Sequence, residues 1–253
     1  MSGIPAVFYR DYRQRITNLG FLFWDLFVPI AYLLLFGTGF QRAVGEEFVL
    51  NEVTVGYSAF FLPGVVAMTA FSIAMNTSWS FFMDKDSGIF FELLTYPITR
   101  RQLLIGKVCF NVLLGLMGSF LTILLAVVLL AVEIRWNLLP LTALAVVTTT
   151  AGWFFFFSIF AIRIRRMDSF NTFTSACYII LMFISTMFYP IVGMPAWFRT
   201  IARLNPMTWQ VDILRYTILG AGSPATMLIE AAAFVAFLFV GLNVAVRTID
   251  RTA

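Results

Sequence analysis

The chain has 253 residues, of which 60% are hydrophobic and 12% charged, whereas soluble domains average about 45–50% apolar and about 25% charged residues. This apolar excess leaves too little polar surface for a soluble domain and indicates a surface that faces lipid. The net charge of +4 is not gathered on one soluble face, so we expect no nucleic-acid partner, and the lack of histidine removes His-based catalysis and most catalytic zinc sites.

The hydrophobic runs predict an all-α, polytopic membrane protein with a single domain over residues 1–253. A spanning helix needs about 20 mostly apolar residues. Six stretches meet this requirement, namely 19–40, 55–82, 102–132, 138–162, 169–189 and 225–246. The first run is longer than the core of a signal peptide, so we expect a span there and not a cleaved leader. Cys109 and Cys177 fall inside apolar runs, where two buried thiols are expected.

The basic residues predict the orientation of these spans. Lys and Arg concentrate in the N-terminal segment, the second-to-third connection, the fourth-to-fifth connection and the C-terminal tail. Because basic loops remain in the cytoplasm, both termini are predicted to be cytoplasmic. We expect this topology in the inner (plasma) membrane, most typically of a bacterium.

Residues 1–18 form a separate element before the first span. Apolar residues from Val7 to Ile16 are spaced for one helix face, and three arginines lie elsewhere: Arg10, Arg13 and Arg15. This pattern predicts an amphipathic interface helix with its arginines near anionic headgroups. The alternative is a solvated N-terminal arm.

The cytoplasmic connection 83–101 is too patterned for a slack loop. Asp86 or Ser87 can cap a helix start, Pro97 can stop that helix, and Thr99 can cap the next one. The residues between them predict a short amphipathic helix, with Glu92 beside an apolar face of Ile89, Phe90, Leu93 and Leu94. Such a face needs lipid or a partner's groove to cover it; the alternative is a self-contained surface helix.

Two other features interrupt the apolar pattern. Prolines and glycines break residues 190–224, which predicts one or two short outer helices that dip partway into the membrane. Asp25 and Glu230 lie within predicted spans and are candidates for the transport pathway by default. The alternative for both acids is pairing with a neighbour or a headgroup.

Two motifs resemble one family. The run Asp86-Ser87-Gly88, Glu92-Leu93-Leu94 and Pro97-Ile98-Thr99-Arg100, closing on Gly106-Lys107, resembles the cytoplasmic loop of ABC-2 type transporter permeases. The outer segment resembles the same family through Phe188-Tyr189-Pro190, Met194-Pro195-x-Trp197, Leu204-Asn205-Pro206-Met207-Thr208 and Asp212-x-x-Arg215. The Pro63-Gly64 pair is most similar to the branch that exports drugs and lipo-oligosaccharides.

The resemblance implies a dimer of permeases that binds two copies of an ATP-hydrolysing subunit. It implies a coupling helix that docks on that subunit, formed by Asp86, Gly88, Phe90, Glu92, Leu93, Leu94, Pro97 and Arg100. The N-terminal helix would make a second contact. The resemblance also implies an outer segment that caps the pathway, with Pro190, Pro195, Trp197, Asn205, Pro206, Asp212 and Arg215.

The chain shows no nucleotide site of its own. A P-loop needs GxxxxGK[ST], but Val108 follows Gly106-Lys107, and Arg101 stands five positions before Gly106. We therefore expect the chain to bind no cofactor and to catalyse no reaction, with ATP and Mg²⁺ on the partner subunit.

The sequence thus predicts an exporter permease for a hydrophobic or amphipathic substrate such as a drug, lipid or glycolipid. A permease for polysaccharide, O-antigen or teichoic acid is the alternative within the family. Outside it stand a membrane-embedded enzyme, which would need facing carboxylates such as Asp25 and Asp212, and a scaffolding protein. An intramembrane aspartyl protease would show Gly-x-Gly-Asp, which the sequence lacks.

Overall fold

The computed structural model describes residues 3–44, 48–50, 53–190 and 194–251. The described chain is helical except for one antiparallel hairpin of strands β1 (Phe48–Leu50) and β2 (Val53–Val55), which pairs Phe48 with Val55. The helices are α1 (Gly3–Thr17), α2 (Leu19–Val44), α3 (Tyr57–Asp86), α4 (Ile89–Leu93), α5 (Arg100–Leu130), α6 (Leu139–Arg163), α7 (Met167–Phe183), α8 (Ala196–Leu204), α9 (Pro206–Leu219) and α10 (Pro224–Asp250). A 3₁₀ turn at Trp136–Leu138 leads into α6. The hairpin lies between the first two predicted spans, where the sequence predicted no regular structure.

Four helical runs in the described residues are long and apolar enough to cross a membrane. They are α3, α5, the continuous run Trp136–Arg163, and α10. The apolar part of α2 covers only Phe23–Gly39, and α7 has 17 residues. The chain is therefore a membrane protein with several spanning helices, and four of the six predicted spans meet both criteria.

Helix α3 is the centre of the bundle. It contacts α2, α5, α6 and α9, and most of its side chains are buried. A helix that is apolar around its whole circumference is stable only where neighbours or lipid surround it. The long apolar run after Gly56 thus explains why this helix occupies the middle of the fold.

Small residues let the long helices approach closely. A Cβ atom at Gly115 of α5 would lie 2.7 Å from Oγ1 of Thr150 on α6, and one at Gly152 of α6 would lie 2.7 Å from the Phe234 ring on α10. Glycine contacts of this kind drive helix association in membranes, where lipid removes the hydrophobic driving force between helices.

Two short helices occupy the predicted outer segment. Pro195 precedes α8, and α9 begins where Oδ1 of Asn205 accepts a hydrogen bond from the Met207 amide, with Pro206 at its first position. Helix α8 is exposed along one side, whereas α9 is buried against α3, α6 and α10. Two short helices thus occupy the stretch in which the sequence predicted one or two, and their position partway into the membrane stays a prediction.

Helix α1 lies along the start of α5 through a close contact at Gly106. A Cβ atom there would lie 2.7 Å from Cβ of Val7 and 3.1 Å from the Ile4 carbonyl oxygen. Gly106→Leu should therefore push α1 away and cost about 1–3 kcal/mol of stability, as overpacking typically does. The expected result is a lower melting temperature of the detergent-purified chain, measured as the temperature at which the monodisperse peak is lost.

Gly39→Leu is the matched control, because a Cβ at Gly39 meets no atom within 4 Å. Equal loss of stability in the two variants would contradict the contact between α1 and α5.

Candidate functional site

A buried group of four charged residues joins three helices at the predicted cytoplasmic end. Nζ of Lys107 on α5 lies 2.7 Å from Oδ2 of Asp84 on α3 and 3.2 Å from Oδ2 of Asp11 on α1. Arg10 donates to Asp84 as well. The Lys107 side chain is fully buried, and those of Asp11 and Asp84 are 5% exposed. We refer to Arg10, Asp11, Asp84 and Lys107 as the Lys107 centre.

The Lys107 centre is balanced in charge, with two cations and two anions. Buried charges are tolerated only when they are paired and hydrogen-bonded. Arg10 and Asp11 lie on α1, Asp84 on α3 and Lys107 on α5, so the balance exists only when these three helices are assembled.

A second ion pair holds the other end of α1. Arg15 donates to Asp25 on α2, and Nδ2 of Asn76 on α3 donates to the same carboxylate. The structure thus favours the alternative in which Asp25 pairs with neighbours. Burial lowers the pKa of Arg15 to about 10, which leaves it cationic at neutral pH.

These pairs change the prediction for the interface helix. Arg10 and Arg15 turn inward to carboxylates, whereas the sequence predicted all three arginines near headgroups. Arg13 is exposed and keeps the predicted orientation. The sequence could not show the difference, because Asp84 is 74 residues from Arg10.

The ends of α3 and α6 on the predicted cytoplasmic side are also joined. Nζ of Lys85 lies 2.7–2.8 Å from the carbonyl oxygens of Ala161, Ile162 and Ile164. These carbonyls stand at the end of α6, where helical partners run out. Lys85 therefore caps the carboxyl end of α6 and links that end to the last turn of α3, just before α4.

Helix α4 is shorter than the sequence predicted. It begins after Gly88, whose φ of 82° is in the left-handed region, and it has no side-chain cap. Asp86 instead ends α3, and the Ser87 hydroxyl bonds back to the Met83 carbonyl. Helix α4 ends at Leu93, before Pro97 is reached. Capping by Asp86 or Ser87 and termination by Pro97 are therefore wrong.

The predicted start of the following helix is confirmed. Thr99 accepts from the Gln102 amide, and Gln102 accepts in return from the Thr99 amide, which forms a capping box. Next to it, Arg100 donates to the Ile249 and Asp250 carbonyls, and Arg101 pairs with the Asp250 carboxylate at 3.1 Å. The start of α5 is thus fastened to the end of α10.

The two sides of α4 have different neighbours. Phe90 is 2% exposed and packs on Phe81 of α3 with ring centroids 5.9 Å apart, and Leu93 and Leu94 are half-buried. The exposed residues are Ile89, Phe91 and Glu92 on α4 itself and Tyr96 in the turn that follows it. We refer to these four residues as the docking face. The sequence prediction had not included Phe91 and Tyr96.

The outer segment holds a second polar cluster. Asp212 accepts from Oγ1 of Thr186 at 2.9 Å and from Arg215. Arg215 also donates to the Thr186 carbonyl oxygen at 2.8 Å, and its guanidinium lies 4.6 Å from the centroid of the Phe60 ring. The predicted pair Asp212 and Arg215 is thus brought together, with Thr186 and Phe60 as partners that the sequence did not show. We refer to these four residues as the outer cluster.

Other predicted residues differ in their surroundings, and Glu230 is close enough to Asp212 and Arg215 of the outer cluster to interact with their charges. Trp197 on α8 is 66% exposed, and Pro190 follows α7 in an irregular stretch. Glu230 on α10 is half-buried, and its Oε2 atom has no hydrogen-bond partner among the described residues. Asp25 and Asp212 are engaged in different clusters, so these two carboxylates do not pair with each other.

Comparison with known proteins decides the family. The model of the ABC-2 type transporter family matches residues 3–219, which include the Lys107 centre, α4 and the outer cluster. This chain belongs to the ABC-2 type transporter family.

The relatives of this ABC-2 chain agree with that assignment. It is 26% identical to "Putative transport permease ycf38" of Cyanophora paradoxa over 84% of this chain and 71% of the relative. It is 24% identical to the protein of the same name from Porphyra purpurea, over 84% and 72%. It is 25% identical to "Probable multidrug ABC transporter permease YbhS" of Escherichia coli K12 over 73% of this chain and 50% of the relative.

As an ABC-2 permease, the chain is the membrane subunit of a transporter. Membership also implies an ATP-binding partner. Helix α4 lies between α3 and α5, two of the helices that are long and apolar enough to cross a membrane, and it presents the docking face.

Replacing the buried lysine should destabilise the ABC-2 permease more than breaking an exposed ion pair. Lys107→Met leaves Asp11 and Asp84 short of one cation and should cost about 3–5 kcal/mol. Arg101→Met, the control, breaks a pair whose side chains are 66% and 42% exposed and should cost less than about 1 kcal/mol. Melting temperatures of the purified chains provide the comparison.

Restoring neutrality supplies the second test of the Lys107 centre. Asp11→Asn in the Lys107→Met background should recover part of the lost stability, because it removes the excess negative charge. Additive losses in the double variant would contradict the charge balance.

Proposed function

We propose that this chain is the transmembrane permease of an ATP-driven exporter, and that it works as a dimer with two ATP-binding subunits. ATP and Mg²⁺ would bind to those subunits, and this chain would provide the path and the mechanical connection. The observation that carries the proposal is the docking face, which is exposed on one side of α4 while Phe90 anchors the other side to α3.

The docking face has the composition of a protein-binding surface. Phe91 is 51% exposed and Tyr96 57% exposed, and the centre of protein interfaces is enriched in such aromatic residues. Glu92 lies between them in sequence and can pair with a basic residue of the partner. A rigid aromatic side chain on a short, anchored helix costs little entropy when it docks.

The helices behind the docking face supply a route for movement. Helix α4 is joined directly to α3, and the Lys107 centre joins α3 to α1 and α5. A displacement of α4 would therefore move the cytoplasmic ends of three helices together, as in other rigid-body transitions.

Helix α3 extends that route to the outer side. Phe60, which lies under Arg215, and Asp84, in the Lys107 centre, stand at opposite ends of α3. At 1.5 Å per residue they are about 36 Å apart. One continuous helix thus connects the outer cluster with the segment that leads to the docking face.

We further propose that α2 and α7 complete six spans. Helix α7 is about 26 Å long, close to the hydrocarbon thickness of about 30 Å. Both termini would then be cytoplasmic in a plasma membrane. Helix α9, buried beside α3, α6 and α10, would be a re-entrant helix, because its polar side chains Gln210, Asp212 and Arg215 bind groups within the protein.

A hydrophobic or amphipathic cargo fits the exposed surface of α2. Phe23, Trp24 and Phe27 form an exposed aromatic group there, with the Phe23 and Phe27 rings stacked 5.0 Å apart. The relative in Escherichia coli that carries the description "Probable multidrug ABC transporter permease" supports the same class.

Reversing one charge on the docking face should separate the two subunits. Glu92→Lys should reduce co-purification of the ATP-binding subunit and transport-coupled ATP hydrolysis by about tenfold or more, since truncating or reversing a central interface charge costs about 2 kcal/mol or more. Phe91→Asp should do the same. Light scattering of the wild-type complex should give two copies of each chain.

Glu133→Lys is the matched control, because Glu133 is also exposed but lies in the segment between α5 and α6, at the opposite end of the bundle. If Glu92→Lys and Phe91→Asp both retained the complex and its ATP hydrolysis, α4 would not be the docking site. A complex with a lone permease chain would overturn the dimer.

A further inference from the structure

The cytoplasmic ends of α6 and α10 enclose a groove that the coupling mechanism does not use. A cavity of about 490 Å³ lies there, lined by Ile162, Arg163, Val244, Arg247, Thr248 and Arg251. The two helices are in close contact farther from this end, where Gly152 meets Phe234 and Gly241 meets Phe155. The groove is thus a local opening in an otherwise tight helix pair.

The three arginines of the groove have no acidic partner. In the described part of the chain, none of Arg163, Arg247 and Arg251 forms an ion pair. The neighbouring acid, Asp250, is bound to Arg101. The carbonyls at the end of α6 could attract Arg163, but Lys85 already occupies three of them. The groove therefore concentrates positive charge that nothing in the described structure compensates.

The lining changes from apolar to basic along the groove. Val244, Arg247, Thr248 and Arg251 are spaced three or four residues apart and share one face of α10. Val244 is nearer the middle of this apolar helix and Arg251 is at its end, while Ile162 adds apolar surface from α6. A ligand for this groove would have an anionic group at one end and hydrocarbon at the other.

We propose that this groove binds an anionic phospholipid of the cytoplasmic leaflet, with the phosphate held by Arg163, Arg247 and Arg251. Guanidinium groups bind phosphate oxygens through paired, charge-assisted hydrogen bonds. Basic pockets between spanning helices on the cytoplasmic side suit such headgroups. The acyl chains would leave the groove past Val244 and Ile162, which is why a lipid fits better than a free phosphate.

The proposal uses the membrane orientation given above but not the ATP-binding partner. Arg247 and Arg251 also lie beyond residues 3–219, the stretch that the family model matches. A negative result in the lipid test would not affect the proposal for the docking face. A negative result in the docking test would not affect the proposal for the lipid groove.

Native mass spectrometry of the purified full chain tests the groove. Phosphatidylglycerol and phosphatidylcholine with identical acyl chains are titrated in separate samples. We expect one phosphatidylglycerol per chain, bound at least tenfold more tightly than phosphatidylcholine. The triple variant Arg163→Gln, Arg247→Gln and Arg251→Gln should lose that preference. Retention of the preference in this variant would overturn the proposal.

A charge-matched control separates the groove from general basicity. Arg165→Gln, Arg166→Gln and Arg199→Gln remove three exposed arginines that lie outside the groove and should leave the preference within about twofold of wild type. An equal loss in this control would show that diffuse surface charge attracts the lipid, and would overturn the site.

Two further samples complete the test. Replacing the three groove arginines by lysine keeps the charge and should keep most of the preference; a complete loss there would contradict phosphate binding by charge. Glycerol 3-phosphate at millimolar concentration should not displace the lipid. Displacement would indicate a free-phosphate site and would overturn the assignment to lipid.

Discussion

The packing of α1, α3 and α5 in this permease depends on one buried lysine. The Lys107 side chain is fully enclosed and contacts Asp11 and Asp84 on two other helices. Lys and Asp are almost never buried without partners, so the arrangement of α1, α3 and α5 is set by the need to keep these charges together. The contact of Val7 with Gly106 adds a steric constraint to the same arrangement. A slip of α1 by one helical turn would separate Arg10 and Asp11 from their partners and leave only the pair of Asp84 and Lys107 between α3 and α5.

Because of this constraint, a force applied at the docking face would reach several helices. A short helix of five residues would have little effect on its own. Phe90 packs on Phe81, and the Lys107 centre then fixes α3 relative to α1 and α5, so that a push on α4 reaches three helices. The outer cluster lies at the far end of α3, where the Arg215 guanidinium stacks on Phe60. The Lys107 centre and the outer cluster thus hold the two ends of α3 against neighbouring parts of the fold.

The sequence predicted those features that depend on neighbouring residues. The cap at Thr99 was predicted from a short window, and Asn205-Pro206 and Asp212-x-x-Arg215 are short motifs that carried the family resemblance. Features that depend on distant residues were missed or misassigned. Arg10 and Arg15 were expected at headgroups because Asp84 and Asp25 lie outside any local pattern. Phe90 and Phe91 are adjacent, and only the packing on α3 shows which of them is covered. The length of α4 was overestimated because Gly88 and Leu94 limit the helix inside the segment bounded by Pro97.

Site-specific photo-crosslinking tests the central claim most directly. A benzophenone amino acid is placed at Phe91, at Phe90, or at Trp136 on the opposite end of the bundle, and the permease is irradiated together with its ATP-binding subunit. Phe91 is 51% exposed and Phe90 2%, so the account predicts a strong crosslink to the ATP-binding subunit from position 91 and none from positions 90 and 136. No crosslink from position 91, or equal crosslinking from positions 90 and 91, would contradict the assignment of α4 as the anchored docking helix.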